Sequence, residues 1–171
     1  MSKITVLIPV YNAPKAVDFL LKSLRDNTNR SLVDQIIIGN DNSDAATSSL
    51  IDALTEDDEL FLHIKRETNL GFLGNVNDLF KRASGEIVVL LNSDTILPYG
   101  WAERVLAAFE SDPAIGLACP LTTNATNLVL KPAPGQHWID VDRMIATTDQ
   151  LDCCTGSALT KSSRRAELLP G

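Results

Sequence analysis

Short, almost wholly apolar runs alternate along this chain with segments whose apolar residues recur at helical spacing, and this alternation restricts the fold more than any other feature. Ile4-Thr5-Val6-Leu7-Ile8 reads as a buried strand ended by Pro9. Pro14 then opens a segment in which Val17, Leu20, Leu21 and Leu24 share one helical face. Ile36 to Gly39 reads as a second strand, followed by a helix that Asp44 can cap and that carries Leu50, Ile51 and Leu54. Leu60 to Ile64 makes a weaker third strand. Val76, Leu79, Phe80 and Ala83 fit a third helical face, stopped by Ser84-Gly85. Ile87 to Leu91 is the most strongly apolar strand. A helix from Pro98 with Ala102, Val105, Leu106 and Phe109 inward follows, then Ile115 to Cys119 as a fifth strand.

Strands apolar throughout are buried on both faces, as in parallel sheets covered by helices. The pattern therefore predicts an α/β three-layer sandwich with a mainly parallel central sheet. Right-handed crossovers bring the loops after the strands to one edge, where ligands bind. At 171 residues the chain suits one domain, and with 44% hydrophobic residues it is too apolar to be disordered. Its net charge of −7 disfavours nucleic acid as a partner and poses a problem for any phosphate ligand, which then needs a local source of positive charge. No apolar run approaches a membrane span, and the short run at Ile4–Val10 lacks the cleavage site of a signal peptide. Three cysteines, two of them adjacent (Cys153, Cys154), with no CxxC spacing suggest reduced thiols in a cytoplasmic protein. His63 and His137 stand apart from other metal-ligating residues in sequence.

Four loops fall at the expected ligand edge: Pro9-Val10-Tyr11-Asn12, Asn40 to Asp44, Asn69-Leu70-Gly71-Phe72, and Asn92-Ser93-Asp94-Thr95. Each has an ordinary structural reading. Asp44 suits a helix cap, Asp41 a turn, Tyr11 a lid on the core, and Asn69 with Gly71 a turn of no special purpose. Asp94 differs, because it follows what reads as the most buried strand, with no basic neighbour in sequence. A partly desolvated carboxylate there needs a cation or donors, so a metal role is expected.

In this order and spacing the four segments resemble the family 2 glycosyltransferases, over about residues 3–119 and less closely through Gly156-Ser157. The Asn-Ser-Asp and Asn-Leu-Gly-Phe stretches are most similar to rhamnosyltransferase-type enzymes of bacterial cell-surface polysaccharides. The resemblance implies the GT-A fold, a Rossmann-like sandwich. It implies that Tyr11 lies against the nucleobase, that Asp41 accepts a hydrogen bond from a base N–H, and that Pro9 and Val10 shape that pocket, with Asn12 beside them. Asn69 and Gly71 would precede a helix whose N-terminal amides face the donor. Asn92-Ser93-Asp94 stands where the family has its Asp-x-Asp motif. Asp94 would hold Mg²⁺ or Mn²⁺ against the diphosphate, while Asn92 contributes an amide but no charge.

The activity so implied is inverting, metal-assisted transfer of a sugar from a UDP- or dTDP-type donor to a glycan or lipid-linked acceptor hydroxyl. The protein would be cytoplasmic, at the inner face of the membrane in a longer form. The family's general base lies in an acidic motif beyond Gly156-Ser157. Glu167 is the acidic residue of that stretch and its flanks do not match, and Asp140, Asp142, Asp149 and Asp152 precede the place. Residues 1–119 are thus expected to form the nucleotide-sugar-binding core, and 120–171 an incomplete acceptor-side region. Two other readings compete: a non-catalytic nucleotide-sugar-binding module, and a nucleotidyltransferase. The latter calls for a Gly-rich basic loop where Pro9-Val10-Tyr11-Asn12 stands.

Overall fold

A computed structural model of the protein describes residues 3–119. Four strands, β1 (Ile4–Val10), β2 (Val33–Asn40), β3 (Phe61–Lys65) and β4 (Ile87–Leu90), form one sheet in the order β3-β2-β1-β4. Every pairing is parallel. Four helices intervene and follow: α1 (Pro14–Asn27), α2 (Ala45–Thr55), α3 (Gly71–Phe80) and α4 (Trp101–Glu110). Met1–Ala107 forms one compact unit, which contains all four strands. Of the second unit, Ala108–Gly171, the described residues are the end of α4 and the stretch 111–119.

All seven residues of β1 are buried. Successive side chains point to opposite faces of a strand, so β1 needs cover on both. On one face Leu7 and Ile37 pack with Leu79 of α3, and Ile64, Ala83 and Val88 close around them. The opposite face carries Ile38 and its register partner His63, which meets Asp52 of α2. Val17, Leu20, Leu21 and Leu24 are buried along α1, as the spacing predicts. In α2 the buried face is Thr47, Ile51 and Thr55, and Asp44 caps the helix by accepting from the Thr47 N–H at 2.8 Å.

β1 continues through Pro9 instead of ending there. Leu7 O accepts from Leu91 N on the β4 side, and Pro9, two residues on, turns the same way. The last β1–β4 pair is Leu7 with Leu90, so the missing N–H of Pro9 faces a side where the ladder has ended.

Two expectations are corrected. Residues 115–119 form no strand in the described structure: this short run contains Gly116, and Leu117 is 85% exposed with no ladder partner among the described residues. Among the four described strands β4 has a neighbour on one side only, and it is not the most buried of them. Only Ile87 of its four residues is fully covered, and Leu90 is 41% exposed. The readings placed on residues 120–171, including the irregular loop, the helix over 140–148 and the strand over 151–160, lie outside the described residues.

Gly39, near the end of β2, lies where α3 comes closest. A Cβ added there would sit 2.2 Å from Asn75 Oδ1 and 3.0 Å from the Leu79 methyls. Gly39→Ala is therefore expected to lower unfolding stability by about 1–3 kcal/mol in urea denaturation. Gly116→Ala, where an added Cβ meets nothing within 4 Å, should leave stability within about 0.5 kcal/mol.

Candidate nucleotide-sugar site

The strand order reverses beside β1: β2 and β3 extend to one side, β4 to the other. The carboxyl ends of β1 and β4 therefore flank the crevice in which open parallel sheets bind ligands. Tyr11 leaves β1 at this point and is 58% exposed, so it does not close the core. Asp41 follows β2 and is only 2% exposed. Asn92, Ser93 and Asp94 follow β4, with Asn92 and Asp94 exposed.

Side-chain amides and one hydroxyl lace the first two loops together. Asn12 takes a left-handed φ of 58°, followed by Ala13 at 62°. Its N–H donates to Ser43 Oγ at 2.9 Å, and its Oδ1 accepts from Asp44 N at 2.8 Å. Ser43 N donates in turn to Asn40 Oδ1 at 3.0 Å. The backbone continues the join, with Asp41 N donating to Val10 O at 2.8 Å. Asn12 thus works as scaffold in this structure, with its N–H and Oδ1 spent inside the chain.

The third loop is tied to the second through Asp41. Leu70 N donates to Asp41 Oδ1 at 2.8 Å, and Asn69 Nδ2 to the Asp41 carbonyl at 3.1 Å. Asn69 Oδ1 accepts from Gly71 N at 2.8 Å, so this first amide of α3 already has a partner. Gly71 has φ 71° with open space around it, which makes backbone conformation, not crowding, the reason for glycine. The fourth loop carries its own turn, Thr95 N to Asn92 O at 3.2 Å. The Asp94 carboxylate has no hydrogen-bond or ion-pair partner among the described residues. The expected desolvation of Asp94 is not found among the described residues, where its side chain is exposed.

The three laced loops leave an exposed aromatic face beside a buried carboxylate whose Oδ1 is occupied. Asp41 Oδ2 has no partner among the described residues and can accept one donor. Among the described residues no three acidic, histidine or cysteine side chains gather into a metal cluster. Asp94, with the oxygens of Asn92 and Ser93 nearby in sequence, fits a hard cation that keeps waters and takes its other ligands from a phosphate, not one caged by protein.

Sequence reasoning missed Arg66 and Asn75. Arg66 follows β3 directly and is 11% exposed at its side chain, with Nε 3.9 Å from Asp41 Oδ1. Asn75 Nδ2 donates to Gly39 O at 2.7 Å. The rule that placed the other loops, polar residues just beyond a strand, picks out Arg66 once β3 ends at Lys65 rather than Ile64. Asn75 lies mid-helix and gives no such signal. His63, isolated in sequence, meets Asp52 Oδ1 at 2.8 Å and Asn40 Nδ2 at 3.2 Å. Asn40 Oδ1 is taken by Ser43, so Nδ2 faces the ring and can only donate. This network assigns His63 Nε2 as acceptor and places its proton on Nδ1, toward Asp52.

Residues 5–161 match the family described as "Glycosyl transferase family 2". A Campylobacter jejuni protein, "GalNAc(5)-diNAcBac-PP-undecaprenol beta-1,3-glucosyltransferase", is 31% identical over 101 residues, 58% of this chain and 32% of its own length. The chain spans about a third of the length of that relative. Among solved structures, the mannosyltransferase PcManGT of Pyrobaculum calidifontis in complex with GDP-Man and Mn²⁺ is similar with a TM-score of 0.59 and 22% identity, over 67% of this chain and 34% of that one. S. aureus TarS 1-349 in complex with UDP-GlcNAc gives 0.57 and 24%, over 64% and 31%. These likenesses identify the fold as GT-A.

Burial lowers the His63 pKa, against the opposing pull of the Asp52 carboxylate; Lys65 lowers it further. The unfolded chain therefore binds this proton first as pH falls, and stability drops as pH passes down through the ordinary histidine value of 6.5. Asp52 and Asp78, whose pKa values are lowered chiefly by Lys65 and Arg66 respectively, lose their contributions only in the carboxylate range below. Urea denaturation at pH 7.5 and 5.5 should show a loss of stability in the native sequence and a smaller one in His63→Gln.

Proposed function

This chain belongs to glycosyl transferase family 2, and from that premise we propose that it binds a nucleoside-diphosphate sugar and serves its transfer to an acceptor hydroxyl. The donor is of UDP or dTDP type, the acceptor a glycan or lipid-linked glycan, and the outcome inversion. The observation that carries this reading is the pairing of exposed Tyr11 with the buried Asp41 carboxylate, beside the crevice where the strand order reverses. The nucleotide sugars bound to the Pyrobaculum and S. aureus proteins support the donor class. The undecaprenol-linked substrate in the Campylobacter relative's name supports a lipid-linked acceptor.

The Tyr11 ring offers a face on which a base stacks, and Asp41 Oδ2 accepts a ring N–H. Pro9 and Val10, fixed in β1, set the floor from which Tyr11 departs. Asn69 and Gly71 form the turn that delivers Leu70 N to Asp41. At the end of β4, Asn92 and Ser93 supply neutral oxygens and Asp94 the anionic one that would hold Mg²⁺ or Mn²⁺. Such a cation, when bound, offsets the charge that develops on the departing diphosphate. It also answers the problem set by the net charge of −7: one ion at Asp94 supplies positive charge locally. The anomeric carbon becomes oxocarbenium-like as the bond breaks. The base that takes the acceptor proton is not assigned to any of residues 3–119.

Isothermal titration of the 171-residue chain with UDP, dTDP and GDP, with and without Mn²⁺, tests this reading. UDP or dTDP is expected to bind, more tightly with Mn²⁺. Tyr11→Ala should cost about 1–3 kcal/mol of that affinity, the worth of one stacked base. Asp94→Ala should remove the Mn²⁺ dependence and leave metal-free binding unchanged. Failure of both UDP and dTDP to bind, with Mn²⁺ present, overturns the reading.

A further inference from the structure

The buried Asp41 carboxylate has one cation within 4 Å among the described residues, and that cation belongs to a side chain with an unusual set of restraints. Arg66 N donates to Asn40 O at 3.1 Å, which fixes the start of its side chain beside the residue preceding Asp41. Its Nε and Nη2 both donate to Asn75 Oδ1, at 3.3 and 3.1 Å, and Nη2 also donates to Asp78 Oδ2 at 2.9 Å. Asn75 is itself locked, since its Nδ2 donates to Gly39 O. The guanidinium plane is thus held from two positions one turn apart on α3, and Nε, its one N–H spent on Asn75, lies 3.9 Å from Asp41 Oδ1. That separation is too long for a hydrogen bond and short enough for a strong charge interaction where water is excluded.

We propose that Arg66 is a positioning residue for nucleobase recognition, acting through Asp41; the inference rests on the proposed contact between Asp41 and a base N–H. Two groups converge on Oδ1, the Leu70 amide and the Arg66 guanidinium. Together they fix the rotation of the carboxylate and leave Oδ2 as the oxygen presented to a ligand. Burial makes the arrangement necessary. A base seated on Tyr11 removes water from Oδ2, and a carboxylate stripped of water is tolerated only beside compensating charge. Arg66 supplies that charge from behind, without occupying the oxygen that the ligand needs. A lysine keeps the charge but not the planar fork that spans Asn75 and Asp78, so it should serve only in part.

The test compares the nucleotide that binds best among UDP, dTDP and GDP with its analogue methylated on the ring imide or amide nitrogen, N3 of the pyrimidine or N1 of guanine. Methylation removes the N–H that Asp41 accepts from and leaves the stacking face in place. In the native chain it should weaken binding about tenfold or more, the size of a hydrogen bond to a charged group. A native chain indifferent to methylation overturns the Asp41–base contact itself. Given native discrimination, Arg66→Gln should bind the parent nucleotide more weakly and the two nucleotides within about threefold of each other. Arg66→Lys should recover part of the discrimination. A purely structural arginine would lower both affinities equally, so a native ratio in Arg66→Gln overturns the proposal. Should Arg66→Gln fail to fold, Asp78→Asn, which frees one end of the guanidinium at a partly exposed position, should reduce the ratio, and an unchanged ratio there likewise overturns it.

Discussion

A strand buried at all seven of its positions cannot lie at a surface, and β1 imposes that condition on everything around it. It must have a neighbour on each side and a helical layer over each face. Its partners are parallel, so each connection has to return across a face of the sheet, and helices fill that need. With Leu7 and Ile37 under α3 and Ile38 on the side of α2, both layers are built from consecutive residues of the same strands. The parallel sense then brings every loop that follows a strand to one edge. The location of the site is in this way a consequence of covering β1, before any polar residue is considered.

At that edge the chain spends polar side chains on holding its loops in register. Asn12, Asn40, Asn69 and Asn75 each present a donor and an acceptor on one short amide, and each bridges segments distant in sequence. Carboxylates in these places would bring four charges into a partly buried region beside Asp41. Carboxylates also could not donate, as Asn69 and Asn75 do to the Asp41 and Gly39 carbonyls; the amides make these connections and add no charge. Asp41 remains the buried charge at the centre, with Arg66 3.9 Å from it, and Tyr11 stays exposed beside the joined loops.

Much of this was legible in the sequence, for reasons that can be named. The unbroken apolar runs at Ile4–Ile8 and Ile36–Ile38 reported burial on both faces, and Asp44 reported its cap because that contact spans three residues. The run at Ile87–Leu91 misled, because apolar content marks a strand but not its place in the sheet, and β4 lies at the edge of the four. Asp94, expected to be partly desolvated there, is exposed among the described residues. The run at Ile115–Cys119 misled in a related way, since a strand exists only where it finds a ladder. Tyr11 and Asp41 were found from their place after strands, but the division between an exposed side chain and a brace was not. Asn12 and Tyr11 are neighbours with the same local signal, and only the position of Ser43, thirty-one residues away, separates their roles. Arg66 and Asn75 were missed because their partners are equally remote.

The three laced loops and the turn after β4 differ in what they tolerate. An alteration at Asn12, Asn40 or Asn69 breaks a joint shared by two segments, so a change there disturbs the frame as well. The turn at Asn92–Asp94 shares no such joint among the described residues, and its internal contact is between backbone atoms. It can exchange side chains with little consequence for folding. The architecture thus divides this edge into a stiff frame around Asp41 and a turn after β4 whose fold asks little of its side chains, so that substitutions in the turn act locally while those in the frame spread.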